Sequence, residues 1–188
     1  MQQATATESR QDMHAVDDTN PAEPKQYLTF VLGGEMFAIG ILQIKEIIEF
    51  DGFTTVPMMP AFIRGVINLR GAVVPVLDLA ARFGRKPAEA TRRTCVVIVE
   101  VEADGNHQDI GVIVDAVNEV LEIPDSEIEP PPNFGAQLRA DLISGMGKVG
   151  GKFVIILDTD RVLCPAELRA MVAAEAKGVS SAAVSATV

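Results

Sequence analysis

From Gln26 onwards the chain alternates between short apolar runs and glycine-containing breaks. The run YLTFVLGGEMFAI predicts two strands joined at Gly33-Gly34, because glycine readily supplies the positive φ angles of a tight hairpin turn. The run RGVINLRGAVVPVLDL, from Arg64 to Leu79, predicts a second hairpin with Arg70 at its turn. Both runs are rich in the β-branched residues that favour strands. The pattern predicts a mainly β protein.

Between these hairpins, the run LQIKEIIEF fits two structures. As a strand, it places Ile44, Glu46 and Ile48 on one face and the intervening residues on the other. As a helix, it matches the i, i+3, i+4 spacing at Ile44, Ile47 and Ile48. The β-branched content favours the strand.

The same order of elements occurs twice along the chain. Phe37–Ile47 matches Ile110–Val120 in apolar and polar character, and Gly65–Asp78 matches Gly145–Asp158. A repeat of about five short strands predicts two small antiparallel barrels side by side. We place them at roughly residues 26–90 and 91–164. Lobes of this size are marginal alone, so we expect them to share a buried interface.

The two ends of the chain differ in pattern from the middle. Residues 1–25 are polar and lack periodic apolar positions, which predicts a disordered arm. Pro165 opens an amphipathic helix that Gly178 can end, over residues 165–178. Its apolar stripe consists of Leu168, Met171 and Val172. Residues 179–188 are Ser, Ala, Thr and Val, and we expect disorder there as well.

Composition limits the class of protein. The chain has 188 residues and is 48% apolar, enough for a substantial core, although it has no Trp. Cys95 and Cys164 are too few for a disulfide framework. No apolar run approaches the ~20 residues of a membrane helix, and residues 1–25 lack the apolar region of a signal peptide. We therefore expect a cytoplasmic protein.

Charge is distributed unevenly. Residues 61–94 carry a basic excess, and residues 95–138 contain acids without a single Lys or Arg. The acidic half would repel the phosphates that the basic half attracts, which disfavours nucleic acid. The polarity fits steering of a charged protein partner. A solvated surface with chance clustering is the open alternative.

Two motifs suggest ligand sites but fit better as structure. GMGKVG, residues 145–150, satisfies G-x-G-x-x-G, but a strand rather than a helix follows it, so we read it as a hairpin turn. Asp158 and Asp160 share a strand face, but divalent metals need more oxygen ligands than two. We expect Asp160 to cap a helical turn before Leu163, and Asp78 holds the corresponding place in the first copy.

The histidine, cysteine and serine residues of the sequence do not form a recognisable catalytic site. His14 lies in the N-terminal arm and His107 in an acidic turn, and neither is on an element that preorganises a triad or metal site. Cys95 lies inside an apolar strand, and Ser144 lacks the nucleophile elbow. We expect no enzyme activity, no metal and no cofactor.

The role of Arg70 is not determined by composition. Pro75 in the following strand removes a hydrogen-bond donor, so the hairpin is expected at a sheet edge with its rim available. An arginine held there can offer its five donors to a partner. A solvated turn arginine is the alternative.

The run FIRGVINLRGAVVPVLDLAARFG, Phe62–Gly84, with YLTFVLGGEMFAIGILQIKEII before it and LISGMGKVGGKFVIILDTDRVL after it, resembles the CheW family of chemotaxis coupling proteins. The resemblance covers about residues 26–165, as a single CheW-like domain. It implies two SH3-like five-stranded barrels, in agreement with the repeat. The sequence leaves open whether strands cross between the two lobes.

The resemblance also implies a function. The family consists of non-catalytic adaptors that bind the CheW-like domain of the histidine kinase CheA and the cytoplasmic tips of methyl-accepting chemoreceptors, in arrays at the inner membrane. Its receptor-contact positions correspond to Ile44, Glu46, Gly65 and Arg70 here, with Gly65 leaving room for a partner backbone. Kinase-contact residues stay unassigned, and rings with CheA or other copies are possible. The alternatives are a scaffold for another chemosensory output, such as pilus control, and a small barrel that binds nucleic acid or a small ligand.

Overall fold

The computed structural model describes residues 25–87, 89–103, 105–131 and 140–170. These residues form strands and short helical turns. The strands are β1 (Lys25–Leu32), β2 (Glu35–Gly40), β3 (Ile44–Glu49), β4 (Ile63–Leu69), β5 (Ala72–Asp78), β6 (Cys95–Ala103), β7 (Asn106–Val114), β8 (Ala116–Ile123), β9 (Ile128–Glu129), β10 (Ile143–Val149) and β11 (Lys152–Leu157). The α-helical turns are α1 (Leu79–Arg82) and α2 (Thr159–Val162), and 3-10 turns cover Ile41–Gln43, Asp125–Glu127 and Ala140–Leu142.

The strands form two sheets, which confirms the mainly β class and two lobes. One has the order β8-β1-β2-β11-β10-β9, and the other has the order β3-β6-β7-β5-β4. We call them the second lobe and the first lobe, respectively. In the first lobe, a bridge between Thr54 and Val66 joins the chain after β3 to β4 and draws the sheet round on itself. The strand reading of Ile44–Glu49 is confirmed.

Each lobe contains strands from both copies of the repeat. The β1–β2 hairpin joins the β8–β11 strands, and the β6–β7 hairpin joins β3–β5. The consecutive division at residues 90 and 91 therefore does not describe the lobes, because the two copies exchange their first hairpins. The exchange also makes the β2–β11 and β5–β7 pairs parallel, where we expected antiparallel pairs throughout.

The core has three parts because the strands of the exchanged hairpins are buried on both faces. Val74, Val76 and Ile98 lie in the cluster inside the first lobe, and Ile123 and Ile156 lie in the cluster inside the second. The largest buried cluster of the described residues lies between the lobes, where it joins residues of both sheets, including Phe30, Phe37, Leu77, Val97, Val99, Ile110 and Val112. The expected shared interface is present.

The hairpins that end each copy are followed by equivalent caps. Asp78 caps α1 by accepting a hydrogen bond from the Ala81 amide at 3.1 Å. Asp158 caps α2 by accepting from the Arg161 amide at 3.1 Å. The expected cap at Asp160 was therefore wrong, because the strand ends two residues earlier and Asp160 lies within the turn.

The glycine motif and the termini also differ in detail from expectation. Gly145 and Gly147 lie within β10, and the turn itself is Gly150–Gly151. Lys25, placed in the disordered arm, belongs to β1. Residues 165–170 are helical, as predicted. The rest of the arm, the remainder of the predicted helix and the tail 179–188 lie outside the described residues.

Candidate functional site

Arg70 lies at the tip of the β4–β5 hairpin in a strained conformation. Arg70 and Gly71 have φ angles of 51° and 90°, as a two-residue type I′ turn requires, and Asn68 accepts a hydrogen bond from the Gly71 amide at 2.8 Å. Positive φ costs a residue other than glycine about 1–2 kcal/mol. The equivalent turn of the second copy is Gly150–Gly151, with φ angles of 55° and 76°. The second copy thus has glycine, which adopts positive φ without strain, at the turn position where this hairpin has arginine.

The guanidinium of Arg70 reaches Glu46 on β3. Its Nη2 lies 2.8 Å from Glu46 Oε2, and the side chains are 80% and 24% exposed. An ion pair this exposed contributes only about 0–1 kcal/mol to stability. The contact therefore orients the guanidinium while leaving most of its surface open to solvent.

A bulge in β3 sets the position of Glu46. The pairing of β3 with β6 shifts register between Ile44 and Glu46, so Lys45 is the extra residue. Lys45 Nζ lies 2.7 Å from Glu100 Oε1 and 2.8 Å from Asp109 Oδ1. Hydrogen bonds to Asp109 and Glu100 raise the pKa of Lys45 to about 12. These contacts hold the bulge from one side while Glu46 extends to Arg70.

Gly65 does not have the open environment expected of a docking glycine. It is buried, with a φ of 152°, and a Cβ there would lie 2.2 Å from the Thr54 carbonyl oxygen and 2.9 Å from Phe53 Cδ2. Thr54 comes this close because it exchanges two backbone hydrogen bonds with Val66, at 2.8 and 2.9 Å. The expectation that Gly65 leaves room for a partner backbone was wrong, since its own chain fills the space.

Ile44 is half-buried and packs against the cluster between the lobes. Of the four residues expected at the receptor contact, the structure brings Glu46 and Arg70 into direct contact. Ile44 lies on the same strand but across the bulge, and Gly65 lies beneath Thr54.

An exposed apolar side chain that was not predicted from the sequence lies near Arg70. Val73, on the strand leaving the turn, is 73% exposed. Pairing of Val73 with Asn68 fixes it beside the Arg70 turn. Successive side chains of the strand AVVPVLD point to opposite faces, so Val73 lies on the face opposite to the buried Val74. This alternation could have predicted the exposure of Val73 from the sequence. We call Glu46, Arg70 and Val73 the Arg70 surface.

The described residues contain no cluster of His, Cys, Asp and Glu suited to a metal ion. Among the same residues, no helix is long and apolar enough to cross a membrane.

Comparisons with known proteins agree with the sequence resemblance. Residues 26–166 match the family model of the CheW-like domain. The chain is 33% identical over 144 residues to the chemotaxis protein CheW of Klebsiella aerogenes, covering 77% of this chain and 84% of that protein. It is 31% identical to the probable CheW of Rhizobium etli, covering 84% of this chain and 98% of that protein. The crystal structure of the scaffolding protein TtCheW from Thermoanaerobacter tengcongensis superposes with a TM-score of 0.65 at 33% identity, covering 80% of this chain and 90% of that one.

Proposed function

Because the chain belongs to the CheW-like domain family, whose members are non-catalytic scaffolds of chemotaxis, we propose that it couples chemoreceptors to the histidine kinase CheA. The proposed partners are the cytoplasmic tip of a methyl-accepting chemoreceptor and the CheW-like regulatory domain of CheA. This places the chain in receptor arrays at the inner membrane, with contacts between barrels that can extend into rings. The kinase contact has no residue assignment.

The observation that supports the receptor contact is the arginine at a turn that glycine would satisfy better. A strained, exposed residue persists when its side chain has a use outside the fold. Arg70 is 80% exposed, and its contact with Glu46 adds little stability. An oriented guanidinium offers further donors to carboxylates or helix-terminal carbonyls of a partner.

We propose different roles for the four expected residues. Arg70 makes the polar contact, and Glu46 positions it in advance, which lowers the entropy lost on binding. Val73 adds an exposed apolar side chain beside them. Gly65 acts indirectly, because it allows Thr54 to close the lobe beneath the Arg70 hairpin. Ile44 contributes as a half-buried apolar residue of β3, the strand that carries Glu46.

The test is a pull-down with a purified chemoreceptor cytoplasmic fragment and CheA, with kinase autophosphorylation as a second readout. We expect Arg70→Glu to weaken receptor binding by about 2 kcal/mol or more, on the order of 30-fold, because an anchor arginine becomes a repelling acid. Its free energy of unfolding should stay within about 1 kcal/mol of the wild type, because the exposed ion pair with Glu46 contributes no more than that. Arg85→Glu is the matched control, since Arg85 is also exposed and paired with an acid, Glu35.

A charge exchange separates direct contact from positioning. The double variant Glu46→Arg/Arg70→Glu keeps an ion pair across the same two positions but reverses its direction. If Arg70 contacts the receptor, the double variant stays defective in binding. Full recovery of binding in the double variant, or normal binding by Arg70→Glu alone, would show that the guanidinium does not contact the receptor.

A further inference from the structure

The β10–β11 hairpin carries an exposed aromatic side chain beside its turn. Phe153 is 54% exposed, and among the phenylalanines that the structure describes it is the only exposed one. It lies two residues after the Gly150–Gly151 turn and pairs across the hairpin with Lys148. Aromatic side chains are enriched where proteins contact each other, because one ring buries a large apolar area. The exposure of this ring therefore favours a contact with another molecule.

The repeat places an exposed apolar residue at the same position in both copies. Phe153 corresponds to Val73, the exposed apolar residue of the Arg70 surface. In the first copy that residue lies beside a cation held by an acid. In the second copy Lys148 has this place, since its Nζ lies 5.8 Å from the centroid of the Phe153 ring and pairs with Glu129. The two sheets thus present surfaces of similar design with different residues.

The charges around Phe153 are balanced. A recess of about 380 Å³ beside the ring is lined by two lysines, one acid and the glycine turn, and the acid Glu129 joins it through its ion pair. The chain as a whole has a formal charge of −10, so most contacts between two copies are opposed by repulsion. A surface with equal numbers of cations and acids around an apolar centre avoids this repulsion. We call it the Phe153 surface, and it consists of Glu127, Glu129, Lys148, Lys152 and Phe153.

We propose that the Phe153 surface binds the same surface of a second copy of this chain across a two-fold axis. Such an axis brings the two Phe153 rings together and places the cations of each copy opposite the acids of the other, so that the surface is complementary to itself. Lys152 of one copy is expected to pair with Glu127 of the other. Because the surface has far fewer residues than the roughly 20–30 a side of a stable interface, the dimer is weak and reversible.

The dimer goes beyond the proposed coupling function. The β4–β5 hairpin that carries Arg70 lies in the other sheet and contributes no residue to the Phe153 surface. A dimer therefore presents two Arg70 surfaces. If each binds a receptor, the second binding event becomes intramolecular and is strengthened by its effective concentration. This last consequence rests on the proposed function, whereas the dimer itself does not.

Sedimentation equilibrium of the purified full chain, at concentrations up to about 1 mM, tests the contact. We expect the mean mass of the wild type to rise with concentration towards that of a dimer. Phe153→Ser should weaken association by at least about tenfold, since it removes the central apolar contact. Val120→Ser is the matched control, because Val120 is an apolar residue of the same sheet and is 46% exposed. Urea unfolding of both variants checks that the fold is kept.

Charge reversal tests the two-fold arrangement. Lys152→Glu and Glu127→Lys should each weaken association, because each variant places like charges opposite one another in its own dimer. An equimolar mixture of the two variants should associate about as strongly as the wild type, since both facing pairs are again of opposite charge.

A wild type that stays monomeric, equal association of Phe153→Ser and Val120→Ser, or a mixture no stronger than either charge variant would each overturn the proposal. A pull-down with CheA identifies the other occupant. Loss of CheA binding by Phe153→Ser, in a chain that does not self-associate, would assign the surface to the kinase and overturn the dimer.

Discussion

Replacing Gly65 with alanine tests whether this glycine serves the fold or a partner. The added Cβ would lie 2.2 Å from the Thr54 carbonyl oxygen and 2.9 Å from both the Thr54 carbonyl carbon and Phe53 Cδ2. Thr54 cannot move away without weakening its two hydrogen bonds to Val66, each contributing about 0.5–1.5 kcal/mol. The φ of 152° adds strain of about 1–3 kcal/mol for any residue with a side chain. We expect Gly65→Ala to lower the free energy of unfolding by about 3–5 kcal/mol.

The assay is equilibrium urea denaturation of the full chain, with Gly71→Ala as the matched control. Gly71 also has a positive φ, of 90°, but a Cβ there meets nothing within 4 Å. We expect Gly71→Ala to cost only about 1 kcal/mol, since it introduces backbone strain without a clash. Equal stability of the two variants would show that Thr54 does not restrict residue 65. Wild-type stability of Gly65→Ala together with lost receptor binding would instead identify Gly65 as a docking glycine.

The two helix caps and the Lys45 contacts give further predictions. Asp78→Ala should lower the free energy of unfolding by about 3 kcal/mol, because this fully buried carboxylate both caps α1 and pairs with a cation, whereas the more exposed cap Asp158→Ala should cost about 1 kcal/mol in the same denaturation assay; equal losses would contradict the assignment. Because the folded-state pKa of Lys45 is raised from 10.5 to about 12, its stabilising effect is fully present below pH 10.5 and disappears as the pH rises through 12. Thermal unfolding of wild type and Lys45→Gln should therefore differ at pH 8 and converge near pH 12, and a difference independent of pH would show that the contacts to Glu100 and Asp109 are not ionic.

The local elements of the fold were accessible from sequence because their causes are local. Gly33-Gly34 and Arg70-Gly71 mark turns through backbone preferences, and the alternation at Ile44–Glu49 shows a strand. The repeat was also visible, because it consists of matched local patterns. The hairpin exchange was not, since either copy's first hairpin carries a similar apolar face and the sequence does not say which strands it will meet.

Contacts between residues that are distant in sequence also limited the prediction of the candidate site. Arg70 was identified because a charged residue at the turn of an apolar hairpin is visible in the sequence alone. Its contact with Glu46 was not predicted, because the two residues are 24 positions apart. The environment of Gly65 was predicted wrongly because the Thr54 carbonyl oxygen fills the space beside it. Thr54 reaches that position only when the lobe folds. The helix cap was placed two residues late, at Asp160 instead of Asp158, because either acid can follow an apolar strand.

The exchanged hairpins have a consequence for how the protein is made. β1 and β2 are synthesised first, yet their partners outside the hairpin, β8 and β11, come about 90 to 120 residues later. Until then the nascent chain carries an apolar hairpin without its neighbours, and neither copy of the repeat contains all the strands of one sheet. A single copy of the repeat would lack the hairpin that completes its sheet, so the exchange makes the two copies depend on each other.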